Sequence, residues 1–309
     1  MCLIVASAAC FGAMAIFAKV AYASGADVHG ALLVRFGVAA VVLLAVMALT
    51  SSSWPRGRDL RLLVAMGAVG YVGQSLTYFT ALTRIPAGLV AVLFYTYPVL
   101  VAICAAVLAR RMPAMLTLGA SGAATLGVAL VAGPKLEGDL PGIVLAVAAA
   151  VIYTGYILAG GRLPGGTGPL ASTTIVCLAA TSVYGGAWLA HTPSFPSGIT
   201  GWSAAAATAV VSTVIAIVAF FAGLRLLGAA PSAAVSSTEP VVTSVLAFLV
   251  FGEHLTPVQI VGAVLVCASV LGVAATSGRS PAPPSPPPPS QRTSAGVAAR
   301  RSPNDVDDQ

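Results

Sequence analysis

The sequence predicts an all-α integral membrane protein of ten transmembrane helices, built as two inverted five-helix repeats. Three observations predict it. Hydrophobic residues make up 58% of the chain and charged residues 8%, with a mean hydropathy of +0.96, too apolar for a fold solvated by water. Apolar stretches follow one another at even spacing from Cys2 to Ala275, each near the roughly 20 residues that a helix needs to cross ~30 Å of hydrocarbon. The later stretches also echo the earlier ones. Five is an odd number, so a second copy of a five-helix unit must cross the bilayer in the opposite sense.

The stretch at 2–23 lacks a basic segment before it and runs on through Phe17, so it is expected to remain as a span rather than be cleaved as a signal peptide. The next, 30–49, ends in an unbroken apolar run over 38–49, and 141–161 holds another over 144–152. A β-barrel strand would alternate instead, so helices are predicted throughout. Stretch 60–82 follows Arg56 and Arg58, 86–109 opens on Pro86, and 115–132 closes the first set. The second set is 141–161, 169–190, 202–227, 231–252 and 257–275, four of which open on or near Pro141, Pro169, Pro231 and Pro257. Proline in a first helical turn forfeits nothing, because its missing N–H would have had no intrahelical partner. The predicted organisation is a first repeat over 1–132, a connecting loop over 133–140, a second repeat over 141–276 and a tail over 277–309. The tail is Pro, Ser, Arg and Asp, including Pro286 to Pro289, and has too little apolar surface to fold; it is expected to be disordered and partly polyproline II. Such a tail could dock a proline-binding module or simply be solvated.

A net charge of +6 could mean a nucleic-acid partner in a soluble protein. Here the basic residues sit at helix ends, so no nucleic acid is expected and the partners are the lipid bilayer and a small molecule. With a cytoplasmic N-terminus, Arg56, Arg58, Arg61, Arg110, Arg111, Arg162 and Arg225 fall inside, with Arg279, Arg292, Arg300 and Arg301 of the tail. Lys19, Arg84 and Lys135 fall outside. This bias places both termini in the cytoplasm of a multi-pass protein of the cell membrane. Cys2, Cys10, Cys104, Cys177 and Cys267 lie in apolar helices with no CxxC spacing and read as small hydrophobes. His29, His191 and His254 are scattered without metal-ligand spacing, and no Gly-rich phosphate loop follows a strand, so neither a metal nor another cofactor is expected.

The repeat is legible as residues. At an offset of 142, 80–100 aligns with 222–242, which sets Ala87 on Ala229, Ala91 on Ala233 and Pro98 on Pro240. Pro113 and Gly119 correspond to Pro257 and Gly262 with a slip of one or two positions, and Arg110-Arg111 fall opposite Gly252-Glu253. The Ala-rich fourth helix with Pro98, its partner around Glu239-Pro240, and the closing segment Phe251-Gly252-Glu253-His254-Leu255-Thr256 followed by Gln259 and Gly262 resemble the EamA family of the drug/metabolite transporter superfamily. The resemblance covers about 2–276. It implies a ten-helix transporter of small metabolites with the substrate held between the halves. The first copy departs from the family pattern, with Arg110-Arg111 where an acid is common and Phe11-Gly12 where Trp-Gly is commoner.

Glu239 is the sharpest candidate for chemistry. It lies eight residues into a helix starting at Pro231, about 12 Å deep at 1.5 Å per residue. A carboxylate there costs several kcal/mol unless protonated, paired or facing water. Pro240 cannot donate to the Ser236 carbonyl, so an acceptor is freed beside the acid and the hydroxyls of Ser236, Ser237 and Thr238. That grouping suits a proton or a cationic substrate group; a structural acid paired with a fixed base is the alternative. Pro98 should free the Phe94 carbonyl in the first copy, with Tyr97 in the slot matching Glu239. Such breaks either let helices bend during transport or are ordinary packing kinks. Arg35 lies within the second helix, where it either anchors an anionic substrate group or pairs with protein carbonyls and a carboxylate. Lys19 can snorkel to the interface.

On the third helix Tyr71, Gln74, Ser75 and Tyr78 share one face at i, i+3, i+4 and i+7. They would line a cavity for a small zwitterion or aromatic ring, or bond to neighbouring helices. Tyr153, Tyr156, Ser212 and Thr213 are weaker candidates. Gly119, Ala123 and Gly127 form a small-residue ridge suited to packing, and a homodimer is allowed but not required. The function predicted is a secondary transporter of a small polar, amino-acid-like metabolite working by alternating access, with proton coupling or exchange. No catalytic residues are expected. A membrane-embedded enzyme would need a nucleophile and base at membrane depth, which the sequence does not supply. A non-transporting scaffold using the tail would have no use for Glu239.

Overall fold

The computed structural model describes residues 1–110, 112, 115–132, 139–163, 167–190, 192–252 and 256–277. Arg111, Pro113, Lys135, His191, the Glu253-His254-Leu255 segment and the tail arginines with Pro286 to Pro289 lie outside the described residues. Those described are helical, with no strand among them. The spans are helix one (Cys2–Ala23), two (Val28–Leu49), three (Gly57–Leu82), four (Leu89–Leu108), five (Met115–Ala132), six (Leu140–Gly160), seven (Pro169–Trp188), eight (Gly198–Leu227), nine (Ala229–Val250) and ten (Pro257–Ser277). This is the ten-helix membrane fold expected from the hydropathy. Asp27 and Asp139 start helices two and six by accepting from the amides of Gly30 at 2.6 Å and Gly142 at 3.1 Å, which satisfies donors that a helix start leaves open.

Five of the spans are irregular: helix one is interrupted at Ala13, between Cys2–Gly12 and Met14–Ala23, and the other four come in pairs. Helix four runs as Ala87–Phe94 and Tyr97–Leu108, interrupted at Tyr95 and Thr96. Helix nine runs as Ala229–Ser236 and Glu239–Phe251, interrupted at Ser237 and Thr238. Each second half carries its proline, Pro98 or Pro240, in its first turn, where the missing N–H is harmless. Glu239 therefore opens a half-helix rather than sitting in the middle of a continuous one. The sequence left a bending break and a packing kink open; the chain unwinds at both places, with the Thr96 and Thr238 amides bonding three residues back to Leu93 and Val235. Helix three contains a π-helical turn at Met66–Tyr71 and helix eight another at Val210–Ile215.

The two halves interleave. Helix one packs on eight and nine of the second half, while helix six packs on three and four of the first. Helix two meets seven, and helix five meets ten. Helix one is tied in place by hydroxyls that reach across to carbonyls, Ser7 to Ala216 at 2.7 Å, Ser212 to Cys10 at 2.6 Å and Thr243 to Gly12 at 3.0 Å. Cross-helix hydrogen bonds of this kind replace the hydrophobic drive that lipid does not provide. Helices five and ten touch backbone to backbone. A Cβ on Gly127 would lie 2.8 Å from the Gly262 carbonyl oxygen, and one on Gly262 would lie 2.6 Å from that of Gly127. The small-residue ridge thus packs within the chain at Gly127, whereas Gly119 has open space around it.

Candidate functional site

Arg35 leaves the middle of helix two and is only 3% exposed. Its Nε donates to the Thr213 hydroxyl at 2.7 Å, and its Nη2 donates to the Tyr71 hydroxyl at 3.0 Å and to the Ser212 carbonyl at 3.4 Å. The guanidinium carbon stands 5.0 Å from the Phe36 ring centroid and 5.7 Å from that of Tyr71, within the range of cation–π attraction. Every one of these partners is formally neutral. Among the described residues no carboxylate makes an ion pair with it; the pair found is Arg84 with Asp139 at 3.3 Å, half-exposed at the helix ends. A buried charge held only by neutral dipoles is expensive unless something else brings the counter-charge. A narrow crevice lined by Ala18, Tyr22, Ala31, Phe79 and Thr208 leads to it.

From Arg35 an unbroken series of rings crosses the interior. Tyr71 meets Phe36 edge-on at 5.3 Å and Tyr156 at 5.4 Å. Tyr156 stacks on Tyr153 at 5.9 Å, and Tyr153 meets Tyr97 at 4.8 Å and Phe94 at 5.4 Å. Phe94 joins Tyr78 at 5.1 Å and Tyr95 at 5.3 Å. At the far end Tyr95 and Tyr97 stand close to Glu239 and Ser236. Both tyrosines come from the break in helix four, and both of their partners flank the break in helix nine. Among the described residues Glu239 and Arg35 make no ion pair with each other.

Arg35, Tyr71, Tyr78, Tyr97, Ser236 and Glu239 therefore border one interior wall. Gln74 is half-buried, and its side-chain oxygen accepts from the neighbouring Ser75 hydroxyl at 3.4 Å. Sequence reasoning gave too little weight to Tyr153, Tyr156, Ser212 and Thr213, and did not single out Tyr95 as the partner of the acid. Phe36, Phe94 and Tyr184 escaped it because isolated aromatics in an apolar helix carry no pattern. The Tyr156 and Tyr184 hydroxyls are buried with no partner among the described residues, and buried polar atoms left so are uncommon.

The model of the EamA-like transporter family matches residues 1–133 and again 140–275, one match per five-helix half. The chain belongs to this family. The match makes it a multi-pass membrane transporter. Among relatives of the EamA-like chain, the "Uncharacterized transporter YcbK" of Bacillus subtilis (strain 168) is 27% identical over 266 residues, 82% of this chain and 85% of that one. The "Uncharacterized transporter sll1319" of Synechocystis is 27% identical over 206 residues, 62% of this chain and 60% of that one. A protein of known crystal structure shares the fold at a TM-score of 0.75 and 18% identity, with 90% of this chain and 96% of the other covered.

Proposed function

We propose that this EamA-like transporter moves a small, zwitterionic, amino-acid-like metabolite by alternating access, with proton coupling or exchange at Glu239. One observation carries it: a buried cation and a half-buried carboxyl, Arg35 and Glu239, stand at the two ends of one aromatic wall and make no ion pair with each other. Arg35 receives the anionic group of the substrate as a fork of charge-assisted donors. The ring faces of Tyr97 and Tyr153 hold its cationic or flat part. Glu239, at the mouth of a half-helix and beside the Tyr95 hydroxyl, takes either a proton or the cationic group. The breaks at Tyr95-Thr96 and Ser237-Thr238 act as the bending points of the two halves. By the loop charges the N-terminus is cytoplasmic.

The test begins with metabolite profiles of cells producing the wild type, Arg35→Gln or Glu239→Gln at equal membrane abundance. The wild type should shift the level of a small set of zwitterions, and both variants should leave it unshifted. Loss of a charge-assisted contact of about 1.5–3 kcal/mol would weaken the binding of the anion by roughly 10- to 100-fold in Arg35→Gln. If both variants shift the same metabolites as the wild type, the proposed site is wrong.

A further inference from the structure

The π-helical turns of helices three and eight begin at Met66 and Val210 and end at Tyr71 and Ile215, 144 residues apart at both ends. That is close to the offset of the sequence repeat, so the two turns occupy equivalent places in the two halves. A π-helical turn carries one residue more than the α-helix needs and sacrifices regular bonding, so it persists only where something holds it. Two matched turns call for a shared cause. Arg35 touches both. Its Nη2 reaches the Tyr71 hydroxyl, at the last residue of the first turn, and the Ser212 carbonyl inside the second, while its Nε reaches Thr213 beside Ser212. The Thr213 hydroxyl in turn donates to the Thr208 carbonyl at 3.0 Å, five residues back. The first turn is further seated by Gly67, where a Cβ would lie 2.5 Å from the Val176 carbonyl oxygen of helix seven, and by Gly70 against the Tyr156 ring at 3.3 Å.

We propose that Arg35 is a latch that holds the two π-helical turns together, and that an anionic substrate group releases both by taking the guanidinium from Tyr71, Ser212 and Thr213. When a π turn relaxes to α, the helix beyond it rotates by about 100°, the angle of one residue at 3.6 per turn. Released together, helices three and eight turn their second halves in the same step, one in each repeat. What releases the latch rests on the transport role proposed above; the latch itself does not need a substrate. The neutral partners explain why it can open: a carboxylate bonds a guanidinium more strongly than a phenol, a hydroxyl and a carbonyl do.

Amide hydrogen exchange of the full chain in lipid nanodiscs, read by mass spectrometry without any added ligand, tests the latch. Arg35→Gln should speed exchange over both 66–71 and 210–215, each by roughly tenfold, the scale of one lost buried hydrogen bond. Thr213→Val and Tyr71→Phe, milder changes that keep the cation, should do so in both segments to a smaller degree. The double variant Arg35→Gln/Thr213→Val should exceed Arg35→Gln by little, because one contact is removed twice. Ser7→Ala, which removes a bond between helices one and eight outside both turns, should leave the two segments as they are. Faster exchange in one segment alone, additive effects in the double variant, or unchanged exchange in every folded variant would overturn the latch. Its failure is separable from that of the proposed site. Lost transport in Arg35→Gln with both turns unchanged removes the latch and keeps the anion anchor, while wild-type transport with both turns loosened removes the anchor and keeps the latch.

Discussion

Glu239 has no oppositely charged side chain in an ion pair with it among the described residues; its neighbour is the hydroxyl of Tyr95. On the proposed function this is a working acid rather than a structural one. A structural acid would be missed in folding as soon as its partner lost it, whereas a carboxyl next to a phenol can be replaced by an amide of the same shape. Glu239→Gln is therefore expected to reach the membrane at wild-type abundance and to lose pH-driven accumulation of substrate in proteoliposomes, while retaining exchange of a substrate that does not need the charge. Tyr95→Phe should keep accumulation but alter its pH profile, since it removes a hydroxyl close to the acid. If Glu239→Gln still accumulates substrate with the wild-type pH dependence, the acid is structural and proton coupling fails.

At the scale of elements, the paired interruptions set the expectations. Pro98 and Pro240 sit in the first turn of their second half-helices, so each terminates one half as much as it starts the next. Pro98→Ala and Pro240→Ala supply an amide that can close the gap at Tyr95-Thr96 or Ser237-Thr238, and each is expected to slow transport more than it lowers abundance. Wild-type rates in both would remove the bending role. Helices five and ten behave differently, because Gly127 and Gly262 leave no room at all. Gly127→Val should destabilise the protein by about 1–3 kcal/mol through overpacking, read as a lower midpoint of thermal unfolding in detergent. The two prolines were legible in the sequence through the repeat, and so was the polar face of Tyr71, Gln74 and Tyr78. The π-helical turns were not, because an inserted residue leaves no signal in the composition of a helix. With them the sequence lost sight of Arg35's partners, since Ser212 and Thr213 lie inside the second of these turns.

For the whole molecule, hydropathy made ten spans legible and the offset between Pro98 and Pro240 made two halves legible, but how the halves interleave was not. Helix one joining eight and nine depends on Ser7, Ser212 and Thr243 finding carbonyls 200 or more residues away, and hydroxyls of that kind look alike along the whole chain. Orientation is the remaining global property, and loop charges bear on it. Arg56, Arg58, Arg61, Arg110, Arg162 and Arg225 fall on one side of the bilayer while Arg84 and Lys19 fall toward the other, and short loops rich in arginine stay on the cytoplasmic side. Hence Asp59, Thr167 and Arg225, which are linked by bonds of 3.0 Å and 3.3 Å between helix three, the loop after helix six and helix eight, should close the cytoplasmic face. The Arg84–Asp139 pair should lie at the outer face. Reporter fusions after Gly138 and Gly278 check this: the first should be active only as a periplasmic reporter and the second only as a cytoplasmic one. A periplasmic signal from Gly278 would invert the orientation or change the number of spans, and with it the side of the membrane toward which the crevice beside Arg35 opens.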